Sequence, residues 1–211
     1  MGVVVKGEER LSCALEGYTD LPPGKLANLV VYLELRAPVL RPSVFESSFS
    51  LEPLPRDADI YRELFRRVGQ DWLWSGRLRL SDAEFAALLA DPDIEIHALV
   101  EGGERIGLME LDFRNPGECE LAYLGVAPDV IGRGAGRFLM NEAVSRAFAR
   151  PIERLFVHTC NFDHPGAVAF YKRSGFTPCK LAVEIHDDPR LLGLLPRDCA
   201  PHVPLFDPAV G

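Results

Sequence analysis

The stretch VAPDVIGRGAGRFLM, residues 126–140, constrains the chain more than any other. An apolar, strand-like run stops at Pro128, glycines follow at 132, 134 and 136, and a helical pattern then begins. Glycine lets the backbone turn sharply and approach a ligand closely. The N-terminus of the helix adds unpaired N–H groups and partial positive charge at the same point. The loop therefore suits an anion such as a phosphate, and Arg133 and Arg137 would add charge-assisted contacts. It is not a P-loop, which needs a Lys after its last glycine. It is not a dinucleotide fingerprint either, because Arg137 stands where the third glycine should fall and several antiparallel strands precede it. Taken alone, the loop also fits a tight turn with no ligand.

The flanking pattern alternates strands and helices. Leu29 to Leu35 reads as a strand closed by Pro38 and Pro42, and a short strand is expected around VFESSFSLEPL. Ile60, Leu64, Phe65 and Val68 mark a helix over about 58–68. Ser81 with Glu84 three residues on is a capping box before a second helix. IEIHALV and RIGLMELDF read as a hairpin turning at Gly102-Gly103, and ECELAYLGV as a third strand. A helix over about 134–150, the strand RLFVHTC, a short helix after Pro165 stopped by Gly175, and the strand TPCKLAVEIH complete the order. This gives an α/β fold with a mixed sheet. Residues 1–43 read as an N-terminal extension, 44–188 as the domain proper, and 189–211 as an irregular proline-rich tail.

With 47% hydrophobic and 26% charged residues the chain reads as an ordinary globular protein. A net charge of −8 disfavours general nucleic-acid binding, which needs a basic face, and suits a cationic amine. The five cysteines (Cys13, Cys119, Cys160, Cys179, Cys199) are odd in number and form no C-x-x-C. That pattern, with no apolar run long enough to span a bilayer and no leader-like N-terminus, points to a reducing, cytoplasmic setting. His158, Cys160 and His164 lack a second spaced pair, so no metal site is expected. Cys160 and Cys119 have no evident base beside them and read as packing rather than nucleophiles.

Two motifs at matching separation resemble the GNAT superfamily of acyl-CoA-dependent N-acyltransferases. Val126, Pro128, Gly134 and Gly136 match its strand–loop–helix signature, with Ile131 where Arg or Gln is usual. Asn161, Ala167, Tyr171, Gly175 and Phe176 match its second signature. The resemblance runs from about residue 44 to 188. It implies a GNAT-type, mostly antiparallel mixed sheet flanked by helices. It also implies transfer of an acetyl group from acetyl-CoA to a primary amine of a small molecule or peptide, by direct attack.

The resemblance places the backbone of Leu124, Gly125 and Val126 along the pantetheine arm, with the Val126 N–H as oxyanion donor and Asn161 touching the arm through its amide. It places the pyrophosphate on Ile131, Gly132, Arg133, Gly134, Ala135 and Gly136. Tyr171 would protonate the leaving thiolate. Glu120, six residues before Val126 as in histone-type members, would be the base, with Glu118, Glu110 and Asp112 as rivals. The acceptor would meet Trp72, Trp74, Arg77 and Glu110, the tryptophans stacking on a cation and the arginine holding a carboxylate. A non-catalytic acyl-CoA-binding protein on the same fold is the alternative. A homodimer built through the extension and tail is compatible with either.

Overall fold

In the computed structural model, residues 16–42 and 48–207 are described. Seven strands and four α-helices alternate along them. In chain order these are β1 (Lys25–Leu35), β2 (Ser50–Pro53), α1 (Ala58–Gly69), α2 (Asp82–Ala90), β3 (Ile94–Glu101), β4 (Glu104–Asp112), β5 (Glu118–Val126), α3 (Ala135–Ala147), β6 (Arg154–Cys160), α4 (Ala167–Arg173) and β7 (Thr177–Asp187). The sheet runs β2-β3-β4-β5-β6-β1-β7. Every neighbouring pair is antiparallel except β5 and β6, which α3 connects as a parallel crossover. The α/β class and the mixed, mostly antiparallel sheet follow the sequence pattern.

Local chemistry sets the element ends. The Asp57 carboxylate accepts the Asp59 and Ile60 N–H groups at the start of α1. Ser81 and Glu84 close the expected capping box on α2. Gly102 (φ 59°) and Gly103 (φ 84°) turn the β3–β4 hairpin in the left-handed region, which an Ala would occupy only under strain. The expected strand near VFESSFSLEPL is β2, shorter than its reading; residues 44–47 of it lie outside the described residues.

The helices divide between the two faces. On one, α3 and α4 pack Leu139, Val144 and Tyr171 against Leu111, Leu121 and Leu155 of the strands. On the other, α1 and α2 pack Phe65, Val68 and Phe85 against Ile94, Ile96 and Leu108. The tail joins this second layer without regular structure, burying Leu195, Ala200 and Val203. It is pinned by the buried Arg190, which pairs with Asp188 at 2.7 Å and donates to the Val203 carbonyl at 2.9 Å.

The boundary expected at residue 43 runs through the sheet. β1 is not an appendage: it lies between β6 and β7, pairing with both along most of its length. A strand from the start of the described chain thus completes the half of the sheet that begins with β6.

Candidate functional site

The site begins where two strands part. β5 and β6 pair over only Glu118–Arg154, Cys119–Leu155 and Glu120–Phe156. Beyond Glu120, β5 stays with β4 and β6 stays with β1, so a gap opens between them. A cavity of about 750 Å³ fills it, lined by Leu121 to Val126 on one lip and Val157 to Cys160 on the other. Its size suits an extended cofactor-sized ligand. A free strand edge can take a peptide-like arm as an added strand.

At one end of the cavity lies the glycine loop. Gly132 (φ 88°) and Gly134 (φ 87°) both adopt left-handed backbone, and Gly134 is the residue before α3. Ile131, Gly132, Arg133, Gly134 and Gly136 line the cavity, with Ala135 buried at the first turn of α3. The Ile131 side chain is exposed. Arg133 pairs with Glu101 at 2.7 Å, and Arg137 donates to the Pro42 carbonyl at 3.2 Å. Arg41 was not anticipated. Its backbone is clasped by both ends of the Asn141 amide on α3, and it joins the arginines at this end. The residues present fit a coenzyme A pyrophosphate: bare turns, a helix N-terminus and several guanidinium groups converge.

Tyr171 lines the middle of the cavity from α4. Burial, reinforced by the Asp163 charge, raises its pKa, so the phenol keeps its proton and can donate it. Gly125 is held where two walls meet: a Cβ added there would come within 2.6 Å of Val68 Cγ1 and 2.9 Å of Trp74 Cη2. Asn161 is not among the residues that line the cavity. It is exposed, and its Oδ1 accepts the Leu29 N–H of β1 at 2.6 Å. β1, which lies beside β6, thus engages the amide oxygen.

The other end holds ionisable groups. Glu120 does not line the cavity; it stands behind His158, whose Nδ1 lies 3.1 Å from Glu120 Oε1. The His158 ring packs on Tyr32 at 5.4 Å and lines the cavity. Its hydrogen bond to the Glu120 carboxylate raises the His158 pKa above the usual 6.5, against the opposing effect of burial. Burial raises the Cys160 thiol, so it is not poised as a nucleophile.

The four residues expected to meet the acceptor divide between the cavity and the core. Trp72 and Trp74 line it on either side of Leu73, a buried residue held at φ 56°. The Trp74 indole N–H donates to Asp163 Oδ1 at 3.0 Å, and Asp163 Oδ2 accepts the Thr159 hydroxyl at 2.7 Å. Trp72 meets the rings of His164 and His202 at 5.3 and 5.8 Å. Arg77 and Glu110 are elsewhere. Glu110 is fully buried, Arg77 Nε donates to its Oε1 at 3.1 Å, and the Tyr61 hydroxyl donates to its Oε2 at 2.5 Å. Neither lines the cavity, so the carboxylate-holding role expected of Arg77 is already filled by Glu110.

Among the described residues no group of three or more His, Cys, Asp or Glu side chains could hold a metal ion, and no helix is long and apolar enough to cross a membrane. No curated protein matches the chain. In its solved form, a GCN5-related N-acetyltransferase from Sphaerobacter thermophilus is 15% identical, with a TM-score of 0.58 over 79% of this chain and 52% of that one. Another, from Kribbella flavida, is 18% identical, with a TM-score of 0.53 over 81% of this chain and 63% of that one. A protein of unknown function from Staphylococcus epidermidis is 12% identical, with a TM-score of 0.57 over 78% of this chain and 63% of that one. The chain thus spans about half to two thirds of the length of these structures, and they share its fold. The model of the acetyltransferase (GNAT) family matches residues 58–176, more than half of the 211. The cavity between β5 and β6, its glycine loop and this match together place the chain in the GNAT acetyltransferase family.

Proposed function

We propose that the protein is an acyl-CoA-dependent N-acyltransferase, with acetyl-CoA as donor and a primary amine of a small molecule or peptide as acceptor. The observation that carries this reading is the continuity of one cavity. It runs from the glycine loop, through the β5–β6 gap, to the face where His158 and Glu120 meet. Residues 131–136 with Arg41 and Arg137 would hold the pyrophosphate, and the backbone of Leu124, Gly125 and Val126 the pantetheine arm. When bound, the donor supplies the acyl group as a thioester.

The chain's own groups supply the proton handling. A protonated alkylamine has a pKa of about 10.4 and must lose a proton before it attacks. Neutral His158 takes that proton at Nε2, while Glu120 holds the ring through Nδ1 and stabilises the imidazolium that forms. Glu120 therefore acts through His158 and not on the amine. Tyr171 holds a proton beside the cavity for the departing thiolate, whose pKa is around 8.5. Trp72, Trp74 and Phe162 keep this end apolar enough for the charges to matter.

The test is a calorimetric titration with acetyl-CoA beside NADH and ATP, followed by thiol release across a panel of primary amines. Micromolar binding of acetyl-CoA alone, with amine-dependent thiol release, is the expected result. Tyr171→Phe should lower kcat about a hundredfold with acetyl-CoA affinity retained. Binding without turnover over the whole panel would leave an acyl-CoA-binding protein. No binding would remove the reading altogether.

A further inference from the structure

β7 is the last strand of the sheet, and among the described residues no strand pairs along its outer side. An open edge is a row of unpaired N–H and C=O groups that accepts another strand unless something guards it. Two guards stand near its start. Pro178 has no N–H to donate, and the register with β1 skips Cys179, passing from Tyr32–Lys180 to Leu33–Pro178. Residues 180–184 carry neither. The strand is regular there, and each of the five except Ala182 is exposed.

The order of side chains in this stretch is cation, apolar, alanine, apolar, anion. An antiparallel copy of the same stretch centred on Ala182 therefore meets its complement. Lys180 falls opposite Glu184 at both ends, Leu181 opposite Val183 twice, and Ala182 opposite itself. Residues directly opposite share a face and lie about 4.5–5.5 Å apart at Cβ, within reach of an ion pair or an apolar contact. Both charges are open to such a partner. Asp187, further along β7, pairs with Lys25 at 2.7 Å, but Lys180 and Glu184 have no ion-pair partner among the described residues. They cannot serve each other within one copy, because four residues of strand separate them by roughly 13 Å. Lys180 Nζ lies 4.6 Å from the centre of the Tyr32 ring, and Glu184 Oε2 accepts the Asn28 amide at 3.1 Å. On the opposite face Leu181 is 64% exposed and Val183 54%, and Leu29, the β1 partner of Val183, is 47% exposed. Single exposed apolar residues are ordinary, but these three form a strip that runs to the edge of the sheet.

We propose that β7 is a dimerisation edge and that its partner is a second copy of this chain. Residues 180–184 of the two copies pair antiparallel about a two-fold axis at Ala182, and the two apolar strips meet side by side. A lysine on an edge repels a chance strand. This one accepts its own copy because a glutamate stands opposite it. Five residues from each copy make a small interface, so the association is weak and depends on concentration. Glu184 also lines the cavity, so the pairing brings Lys180 of the partner subunit to the cavity rim. The proposal holds whether or not the chain is an acyltransferase.

The test is sedimentation equilibrium of the full chain over a roughly hundredfold range of concentration reaching about 1 mM, the scale of a weak Kd. The parent should dimerise. Lys180→Glu alone, or Glu184→Lys alone, sets like charges opposite at both ends and should weaken the association about tenfold or more. The double variant Lys180→Glu with Glu184→Lys sets opposite charges against each other again and should return the association to within about threefold of the parent. Both side chains are exposed, and thermal unfolding checks that each variant folds; either single reversal suffices alone. A chain that stays monomeric throughout overturns the proposal. A dimer indifferent to the single reversals overturns it as well and places the contact elsewhere on the chain. Single reversals whose loss the double variant does not repair overturn the register about Ala182, and the proposal with it.

Discussion

Glu110 and Glu120 sit on adjacent antiparallel strands, both on rungs that sequence alone offers as a catalytic base, yet they meet opposite fates. Glu110 is sealed under α1, with its two oxygens taken by Arg77 and Tyr61. Glu120 stands at the point where β5 and β6 part, about a quarter exposed, and its partner is a histidine that faces the cavity. The difference lies in what covers each strand. Where a helix packs down, a carboxylate survives only if fully paired. Where two strands separate, it keeps access to a ligand through its neighbour. The buried cluster is closed off, and the open pair is the one that the proposed mechanism uses.

The sharpest way to break this contrast is to remove each carboxylate in turn. Glu110→Ala leaves Arg77 half-buried without its partner and should cost about 3–5 kcal/mol of stability, read by denaturant unfolding. The activity of the molecules that remain folded should be near normal. His158→Gln should show the reverse: unfolding within about 0.5 kcal/mol of the parent, as for other surface changes, but kcat lower by about a hundredfold. If both variants lost activity in proportion to stability, the two clusters would not differ in kind. Gly125→Ala probes the gap itself. Its methyl would meet Val68 and Trp74 at sub-contact distance, so overpacking of about 1–3 kcal/mol is expected. Weaker binding of acetyl-CoA should accompany it, measured by titration.

Much of the site was legible because its signals are local. The glycine loop, the capping box at Ser81 and Glu84, and the Tyr171 helix each lie within one short window, and each is where its pattern says. What failed was long-range. Nothing near Leu29 announces that β1 slots between β6 and β7. Without that knowledge the Asn161 amide looks free for a ligand, when the Leu29 N–H holds it. Arg77 and Glu110 are 33 residues apart, and only the packing of α1 reveals them as partners. A period-two reading of β4 and β5 could not separate Glu110 from Glu120, because a register shift beside Glu110 breaks the simple alternation. His158 was visible but weighed only as a metal ligand. The missing step was the parallel pairing of β6 with β5, which puts it beside Glu120. The tail, read as irregular, is irregular in backbone yet buried, because prolines bar regular structure without barring apolar contact.

The most direct measurement of the central claim is the pH dependence of kcat at saturating amine and acetyl-CoA, for the parent and for Glu120→Gln. A base must be neutral to act, so kcat falls as pH drops through its pKa in the bound complex. The Glu120 hydrogen bond stabilises the protonated ring and raises that pKa, so the acid limb of the parent should lie above 6.5. Glu120→Gln removes the raising partner and leaves the lowering effect of burial. Its limb should move to lower pH than the parent's, with kcat reduced about tenfold on the plateau as the ring loses its orientation. A limb that stays in place in Glu120→Gln would mean that His158 is not the group titrating. The division between a structural and a working carboxylate would then fall.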